Sequence, residues 1–224
     1  MHYATDERKA HLKHGLRHDP FKAIAAPRPI GWISSVSPSG VVNLAPYSFF
    51  NAVSDSPPMV MFSSTGRKDT LRNVEATGEF TCSLATEALL EAMNLSSATV
   101  APDASEYALT GLTPAPSLVV APPRVAESPA ALECRLWKTV PLPAGEGDTP
   151  HVVVFGQVVA IYVDERFVRD GLLDTAGMRP LGRMGYMDYA VVTRETTFAL
   201  ARPMVNADGR TVTAVPQVRP ASAG

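Results

Sequence analysis

The sequence predicts a mostly β protein, an antiparallel β-barrel of Greek-key type with helices at its periphery. The chain holds 20 prolines among 224 residues, which interrupt helices and favour strands joined by turns. Several short runs are rich in β-branched and aromatic side chains and are bounded by glycine or proline, a pattern typical of strands. A chain of this length suits one large domain whose core needs neither disulfides nor metal.

Residues 30–36 (IGWISSV) are mostly β-branched or aromatic, with two serines among them, and predict the first strand. The turn residues Pro-Ser-Gly at 38–40 predict that residues 41–44 return as its hairpin partner. A double proline then forces an extended entry into residues 59–62 (MVMF), a run typical of a strand buried on both faces.

Residues 63–68 form a polar and basic loop that leads to Asp69, a predicted N-cap for a helix over 70–76 that ends at Gly78. A helix N-terminus presents free N–H groups and partial positive charge, so it favours a bound anion. Arg67 and Lys68 add full charges beside it. The loop lacks the spacing of a Walker motif, and by itself it is equally compatible with a solvated turn.

The remaining patterns predict further elements of the same kind. They are a strand over 79–84, a helix capped by Thr86 and running through Leu95, a hairpin of 132–140 with 152–163 joined by the loop 141–150, a loop over 180–186 that holds Arg183, and a last strand over 189–193. Residues 167–173 do not indicate one type of element.

Three segments are expected: an N-terminal arm (1–20), one domain (21–200) and a disordered C-terminal tail (201–224) rich in Pro, Ala and Ser. His11, His14 and His18 share one helical face of the arm and could bind a metal ion. Because no cysteine or carboxylate joins them at a ligand spacing, we favour a solvated arm and predict no metal site.

Composition limits the possible binding partners and the cellular compartment of the protein. The net charge is −2 without a basic block, which implies neither nucleic acid nor an anionic membrane as partner. The N-terminus lacks the apolar segment of a signal peptide, and the longest apolar run is too short to span a bilayer, so we expect a cytoplasmic protein. Cys82 and Cys134 lie in strand-like runs, which favours buried free thiols over a disulfide or a nucleophile.

Several catalytic motifs are absent from the sequence: GxGxxG, HExxH, CxxC and GxSxG. Residues 28–70 instead combine small polar side chains, an aromatic cluster and the basic loop, which suits a flat heteroaromatic ring joined to a phosphate. Such a protein holds a cofactor that carries the chemistry. The aromatic cluster consists of Trp32, Tyr47, Phe49 and Phe50.

Three stretches, RPIGWISS, NLAPYSFFNAVSDSPP and SSTGRKDT, resemble the flavin reductase-like and flavoredoxin family of FMN-binding split-barrel proteins. The resemblance extends more weakly through TGEF, HVVVFGQV and PLGRMGY. It implies a split barrel that binds FMN and forms a homodimer with FMN near the subunit interface. The related pyridoxamine phosphate oxidases share the fold but lack the stretch NLAPYSFFNAVS.

The resemblance implies a set of cofactor-binding residues. Ser34 and Ser35 would hydrogen-bond the polar edge of the flavin ring, and the phosphate would be held by Ser63, Arg67, Lys68 and Thr70. The other members are Arg28, Trp32, Asn43, Ser48, Phe49, Asn51, Ser64 and Arg183.

Alternatives stay open for several members of this set. The serines of the first strand could lie on a solvent-facing side, and Phe49 could be an ordinary core residue. Arg28 could make a structural ion pair, and Arg183 could face the partner subunit. His151 resembles a histidine near the flavin or the nicotinamide and is a weak catalytic candidate; as a lone histidine it equally suits a structural role.

The expected function is that of an FMN-binding oxidoreductase. NAD(P)H would reduce the flavin, and the electrons would pass to a protein partner such as a monooxygenase or leave with free reduced FMN. Two alternatives remain: a non-enzymatic FMN electron carrier like flavoredoxin, and a flavin-binding sensor module without turnover.

Overall fold

The computed structural model describes residues 1–101, 103–214, 217 and 219–220. The strands are β1 (Arg28–Pro29), β2 (Gly31–Val36), β3 (Val42–Tyr47), β4 (Phe50–Asp55), β5 (Pro58–Thr65), β6 (Glu79–Leu84), β7 (Pro114–Ala115), β8 (Arg124–Val125), β9 (Ala130–Pro141), β10 (His151–Val163), β11 (Val168–Arg169), β12 (Leu172–Leu173), β13 (Leu181–Arg183), β14 (Tyr189–Val191), β15 (Phe198–Ala199), β16 (Met204–Val205), β17 (Val212–Ala214) and β18 (Arg219–Pro220). The α-helices are α1 (Phe21–Ile24), α2 (Asp69–Thr77), α3 (Leu90–Leu95), α4 (Glu106–Thr110) and α5 (Thr175–Met178). Short 3-10 helices span Ala10–His14, Glu87–Leu89 and Glu165–Phe167.

Seven strands form the central antiparallel sheet, in the order β3-β2-β6-β9-β10-β5-β4. This arrangement confirms the predicted fold class and both predicted hairpins, β2 with β3 and β9 with β10. The long β9–β10 ladder bends at register shifts, one of them beside Gly156. A Cβ at Gly156 would lie 2.3 Å from the Cζ atom of Phe80, so this strand crosses the barrel interior where only a glycine fits.

Two apolar clusters cover opposite faces of β2. Ile33 belongs to the barrel interior together with Phe62 and Phe80, and α2 closes this cluster. Trp32 points the other way, into a second cluster with Met93 of α3. Because β2 also has a strand on each side, its side chains are enclosed on both faces.

Helix α2 begins one residue earlier than expected. Lys68 takes the N-cap position with extended backbone, and Asp69 is the first helical residue rather than the cap. The end of the helix is as predicted, since Gly78 follows it in the left-handed conformation with φ 75°.

The prediction of a loop over 180–186 is wrong for its centre, which forms strand β13. Pairing explains the difference, because β13 lies between β1 and β14 and hydrogen-bonds to both. The predicted strand over 189–193 is present as β14. Segment 167–173 forms the hairpin β11–β12, closed by Asp170 and Gly171, which both have positive φ, as turns of this hairpin type require.

The expected buried thiols are confirmed: Cys82 and Cys134 are free and buried. Burial raises the pKa of Cys82 to about 12, so this thiol stays protonated and unreactive at neutral pH. No helix within the described ranges is long and apolar enough to cross a membrane.

The terminal segments contain some local structure. The arm carries the 3-10 helix Ala10–His14, and the tail contains the short hairpin β16–β17 and strand β18, which pairs with β15 at the end of the domain. Disorder over 201–224 therefore stays a prediction, as do the domain boundaries. Residues 215, 216, 218 and 221–224 of that tail lie outside the described residues.

Candidate functional site

A cavity of about 470 Å³ opens beside the edge of the central sheet. Its walls are strand β3, the end of β5, the first turn of α2, the side chain of Lys22 from α1, and residues 96–100 after α3. Most of the lining is polar, with an aromatic wall on one side. A volume in this range is typical of pockets for small ligands.

Strand β3 supplies one wall because of its place in the sheet. It pairs with β2 on one side and has no strand on the other. Asn43, Ala45 and Tyr47 follow a period of two, so they share one face of the strand, and all three line the cavity. The Asn43 Nδ2 atom donates to Thr70 Oγ1 at 2.9 Å, which fixes the first turn of α2 against this strand.

The hydroxyl of Tyr47 has an unusual environment. The side chain is only 8% exposed and its oxygen is enclosed near the hydroxyls of Thr70 and Ser64, but no hydrogen bond of good geometry reaches that oxygen among the described residues. Burial raises the pKa of this phenol, so it stays protonated at neutral pH. A buried hydroxyl without a well-formed hydrogen bond destabilises a fold, and Tyr47 lines the cavity, so we expect this group to turn toward a polar atom of a ligand there.

The first turn of α2 forms the basic wall. Lys68, Thr70 and Arg72 line the cavity together with Asp69, which forms an ion pair with Arg72. The backbone N–H groups of this nine-residue helix have no intrahelical partners at its start. These groups and the Lys68 ammonium suit a phosphate.

The aromatic wall consists of Phe49 and His151. Their rings meet edge to face with centroids 5.8 Å apart. His151 is held between two hydroxyls, with Nδ1 3.2 Å from Ser63 Oγ and Nε2 3.2 Å from Thr65 Oγ1. Both ring nitrogens therefore have partners, and the imidazole is fixed in orientation beside the cavity.

The structure brings together one part of the predicted site. Asn43, Ser48, Phe49, Ser63, Lys68 and Thr70 line the cavity. His151 reaches it through its contacts with Phe49 and Ser63. The stretches NLAPYSFFNAVSDSPP and SSTGRKDT therefore meet at the same cavity, as the sequence predicts for a shared site.

Residues of β2 and its neighbours lie elsewhere. Trp32, Ser34, Ser35 and Ser64 are fully buried and do not line the cavity. The indole of Trp32 donates to Ser96 Oγ at 2.9 Å, and Ser35 accepts from Asn73. The alternative in which the two serines face solvent is wrong, because β2 is covered on both faces; their predicted role toward a flavin stays a prediction.

Four further predicted residues also lie outside the lining. Arg28 donates to backbone carbonyls, Arg67 pairs with Glu75, and Asn51 is exposed on the edge strand β4. Arg183 stacks on Tyr189 with its guanidinium carbon 4.4 Å from the ring centroid. Their cofactor contacts stay predictions.

The predicted set of cofactor-binding residues did not include several residues that line the cavity, although Tyr47 belongs to the predicted aromatic cluster and Thr65 and Asp69 to the basic loop and its cap. Among these residues are Lys22, Tyr47, Thr65, Asp69, Arg72 and Glu106. Alternation with Asn43 could have indicated Tyr47, since both lie on one face of β3. No local sequence pattern indicates that Glu106 reaches the cavity. It is buried, accepts from the backbone N–H of Leu44 at 2.8 Å, and burial raises its pKa.

Many solved structures resemble this chain. Nitrilotriacetate monooxygenase component B from Bacillus cereus is 32% identical, with a TM-score of 0.77 over 85% of this chain and 95% of its own. The 2-nitrobenzoate 2-nitroreductase NbaA from Pseudomonas fluorescens is 27% identical, with a TM-score of 0.73 over 92% and 97%. Flavoredoxin from Desulfovibrio vulgaris shares the fold, with a TM-score of 0.67 at 20% identity over 94% and 99%.

The family model described as "Flavin reductase like domain" matches residues 24–182. This range contains β1 to β12, the first two residues of β13 and every wall of the cavity except Lys22. The resemblance carried by residues 28–70 is therefore confirmed, and the chain belongs to the flavin reductase-like family.

Proposed function

We propose that this protein is an FMN-binding oxidoreductase that uses NAD(P)H as electron donor. The cavity is the observation that carries the proposal, because it joins a helix N-terminus bearing Lys68 to the aromatic wall of Phe49 and His151. A phosphate suits the first feature and a flat ring suits the second. The unpaired Tyr47 hydroxyl adds a donor for a polar atom of such a ligand.

The proposed roles follow from these positions. Lys68, Thr70 and the free N–H groups of α2 bind the phosphate, and Asn43 holds Thr70 in place. Phe49 packs against the ring, while Ser63 and Thr65 hold His151 beside it. A bound flavin would supply the redox chemistry, which is the acceptance of a hydride and the transfer of its electrons. The protein needs no dedicated acid for that step, which agrees with the unreactive, buried cysteines.

The names of two similar proteins are the basis of our proposal for the electron acceptor. One is named as a monooxygenase component and another as a nitroreductase. Both names describe proteins of electron-transfer systems. We therefore propose that electrons pass to a partner such as a monooxygenase or leave with free reduced FMN.

A homodimer is part of the proposal. On the outer face of the barrel, Trp137 of β9 is 64% exposed, and its ring meets Phe155 edge to face at 6.0 Å. Ile161 of β10 is exposed as well. Exposed aromatic and aliphatic side chains on a broad sheet surface favour association. Analytical ultracentrifugation of the wild type and of a Trp137→Glu variant tests this point: we expect a dimer that the variant weakens, and a wild-type monomer would contradict it.

An absorbance titration tests the function. Purified protein is titrated with FMN, and the holoprotein then receives NADH or NADPH without oxygen. We expect a shifted flavin spectrum that bleaches rapidly. Bound flavin that stays oxidised with either donor would favour a carrier or a sensor, and absence of flavin binding would refute the site.

A further inference from the structure

Lys22 lies at the cavity but belongs to none of the family motifs in residues 28–70. It is on the short helix α1, just before the barrel, and its Nζ atom is 5.8 Å from the centroid of the Phe49 ring. No acidic side chain within the described ranges forms an ion pair with it. The cavity therefore has a cation on its aromatic wall in addition to those on α2.

Arg28 holds the backbone that carries this lysine. Its guanidinium donates to the carbonyl oxygens of Lys22 and of Ala25, the second at 2.5 Å. The same guanidinium donates to the carbonyl of Met184 at 2.7 Å. One side chain thus ties both ends of α1 to the segment that follows β13. A planar guanidinium can donate hydrogen bonds to several carbonyl oxygens in one fixed geometry, whereas an ammonium group has no such fixed arrangement of donors.

The same segment supports α1 through a close backbone approach. A Cβ placed on Gly185 would lie 2.6 Å from the Cβ of Ala23 and 2.8 Å from its Cα. Only glycine lets the two backbones come this near. The sequences RPIGW and PLGRMGY, which we expected near the flavin, therefore meet around α1, next to Lys22.

We propose that Lys22 is a specificity-determining residue that binds the phosphates of the nicotinamide donor, and that Arg28 and Gly185 are positioning residues that act through it. The inference rests on the proposed function. FMN has a single phosphate, which the N-terminus of α2 accommodates. Lys22 places a second cation beside Phe49 and His151. This position, on the wall against which rings pack, suits a second anionic molecule. A dinucleotide donor brings such an anion next to the ring that it must approach.

Steady-state reduction of the FMN-loaded protein tests this assignment with two kinds of donor. NADH and NADPH carry phosphates, whereas N-benzyl dihydronicotinamide has the same reactive ring and none. We expect Lys22→Ala to raise KM for NADH and NADPH about threefold to tenfold at low salt, with kcat unchanged. The reaction with the neutral donor should not change, Lys22→Arg should restore most of the loss, and added salt should reduce the difference.

Matched variants separate this role from general damage. Lys138→Ala removes an exposed lysine of β9 and should leave every value unchanged. Gly185→Ala should reproduce the KM effect of Lys22→Ala for NADH while the FMN affinity stays that of the wild type. Equal slowing with the neutral donor, a weaker FMN affinity in Lys22→Ala, or an unchanged KM for both dinucleotides would each overturn the assignment. If the wild-type holoprotein is reduced by no donor, the proposed function fails first, and this inference fails with it.

Discussion

Strands β2 and β3 are hydrogen-bonded neighbours with similar residues, small polar side chains and aromatic rings, yet only β3 faces the cavity. β2 lies between β3 and β6, and Trp32, Ser34 and Ser35 are fully buried. β3 is the edge of the sheet, and Asn43 and Tyr47 line the opening. The position of a strand in the sheet, rather than its composition, determines whether its polar groups can reach a ligand.

Hydrogen bonding alone does not separate the two strands. In β2, the indole of Trp32 is paired with Ser96 and Ser35 accepts from Asn73, but the Ser34 hydroxyl lacks a partner among the described residues, as the Tyr47 hydroxyl of β3 does. The strands differ in access to the cavity, because Asn43 and Tyr47 line it and the β2 side chains do not. Substitutions in β2 should therefore lower stability, whereas substitutions in β3 and α2 should lower ligand affinity.

The largest effect is expected for Trp32→Ala. It empties a fully buried site and leaves the Ser96 hydroxyl without its donor, so the free energy of unfolding should fall by about 3–5 kcal/mol. Urea unfolding of the protein without flavin measures it. Tyr47→Phe is the matched control, expected within about 1 kcal/mol of the wild type. A Trp32→Ala protein as stable as the wild type would contradict the distinction between the enclosed strand β2 and the cavity-lining strand β3.

Tyr47→Phe should instead weaken FMN binding. The variant keeps the ring that packs 4.8 Å from Phe62 and loses only the unpaired hydroxyl. Loss of one hydrogen bond to a bound ligand corresponds to a roughly tenfold lower affinity. Quenching of flavin fluorescence measures the dissociation constant. Ser35→Ala is the control in β2, and the comparison fails if that variant loses more FMN affinity than Tyr47→Phe.

Lys68→Ala should weaken binding of FMN about fivefold and leave riboflavin unaffected, because in the proposed binding mode the Lys68 ammonium, which lines the cavity, contacts only the phosphate. Arg67→Ala, at the adjacent position, tests whether Arg67 also holds the phosphate; because that guanidinium pairs with Glu75 outside the cavity, we expect a smaller loss of FMN affinity than in Lys68→Ala. Parallel titrations with the two flavins measure both variants. Equal losses for FMN and riboflavin in Lys68→Ala would refute the phosphate assignment.

The smallest effect concerns Glu106, whose pKa is raised by burial. A carboxyl with a raised pKa in the folded state favours folding while it is protonated, and this contribution is lost as pH rises from the ordinary glutamate range through the raised pKa. Glu106→Gln should therefore be slightly more stable than the wild type at neutral pH, with the difference vanishing in acid. Thermal unfolding across pH measures it, and a variant less stable at neutral pH would contradict this account.

Local patterns were enough to predict much of the fold. Alternation and turn residues predict the hairpins β2–β3 and β9–β10, and Gly78 predicts the end of α2. They do not give the strand order, because β2 acquires β6 as a neighbour only through long-range pairing. Without that order, the enclosed serines of β2 and the cavity-lining face of β3 cannot be told apart.

The site was predictable where one motif supplies adjacent walls, as with Ser48 and Phe49 or Lys68 and Thr70. It was not predictable where a residue arrives from a distant element. Lys22 reaches the cavity through contacts of Arg28 and Gly185, and Glu106 through the docking of α4 on β3. Such contacts depend on tertiary packing and have no periodic pattern in the sequence.

A crystal structure of the protein grown with FMN tests the central claim most directly. We predict flavin density between Tyr47 and Phe49, with the phosphate at the first turn of α2 beside Lys68 and Thr70. Flavin density on the other face of the sheet, against Trp32 and Ser34, would contradict the account.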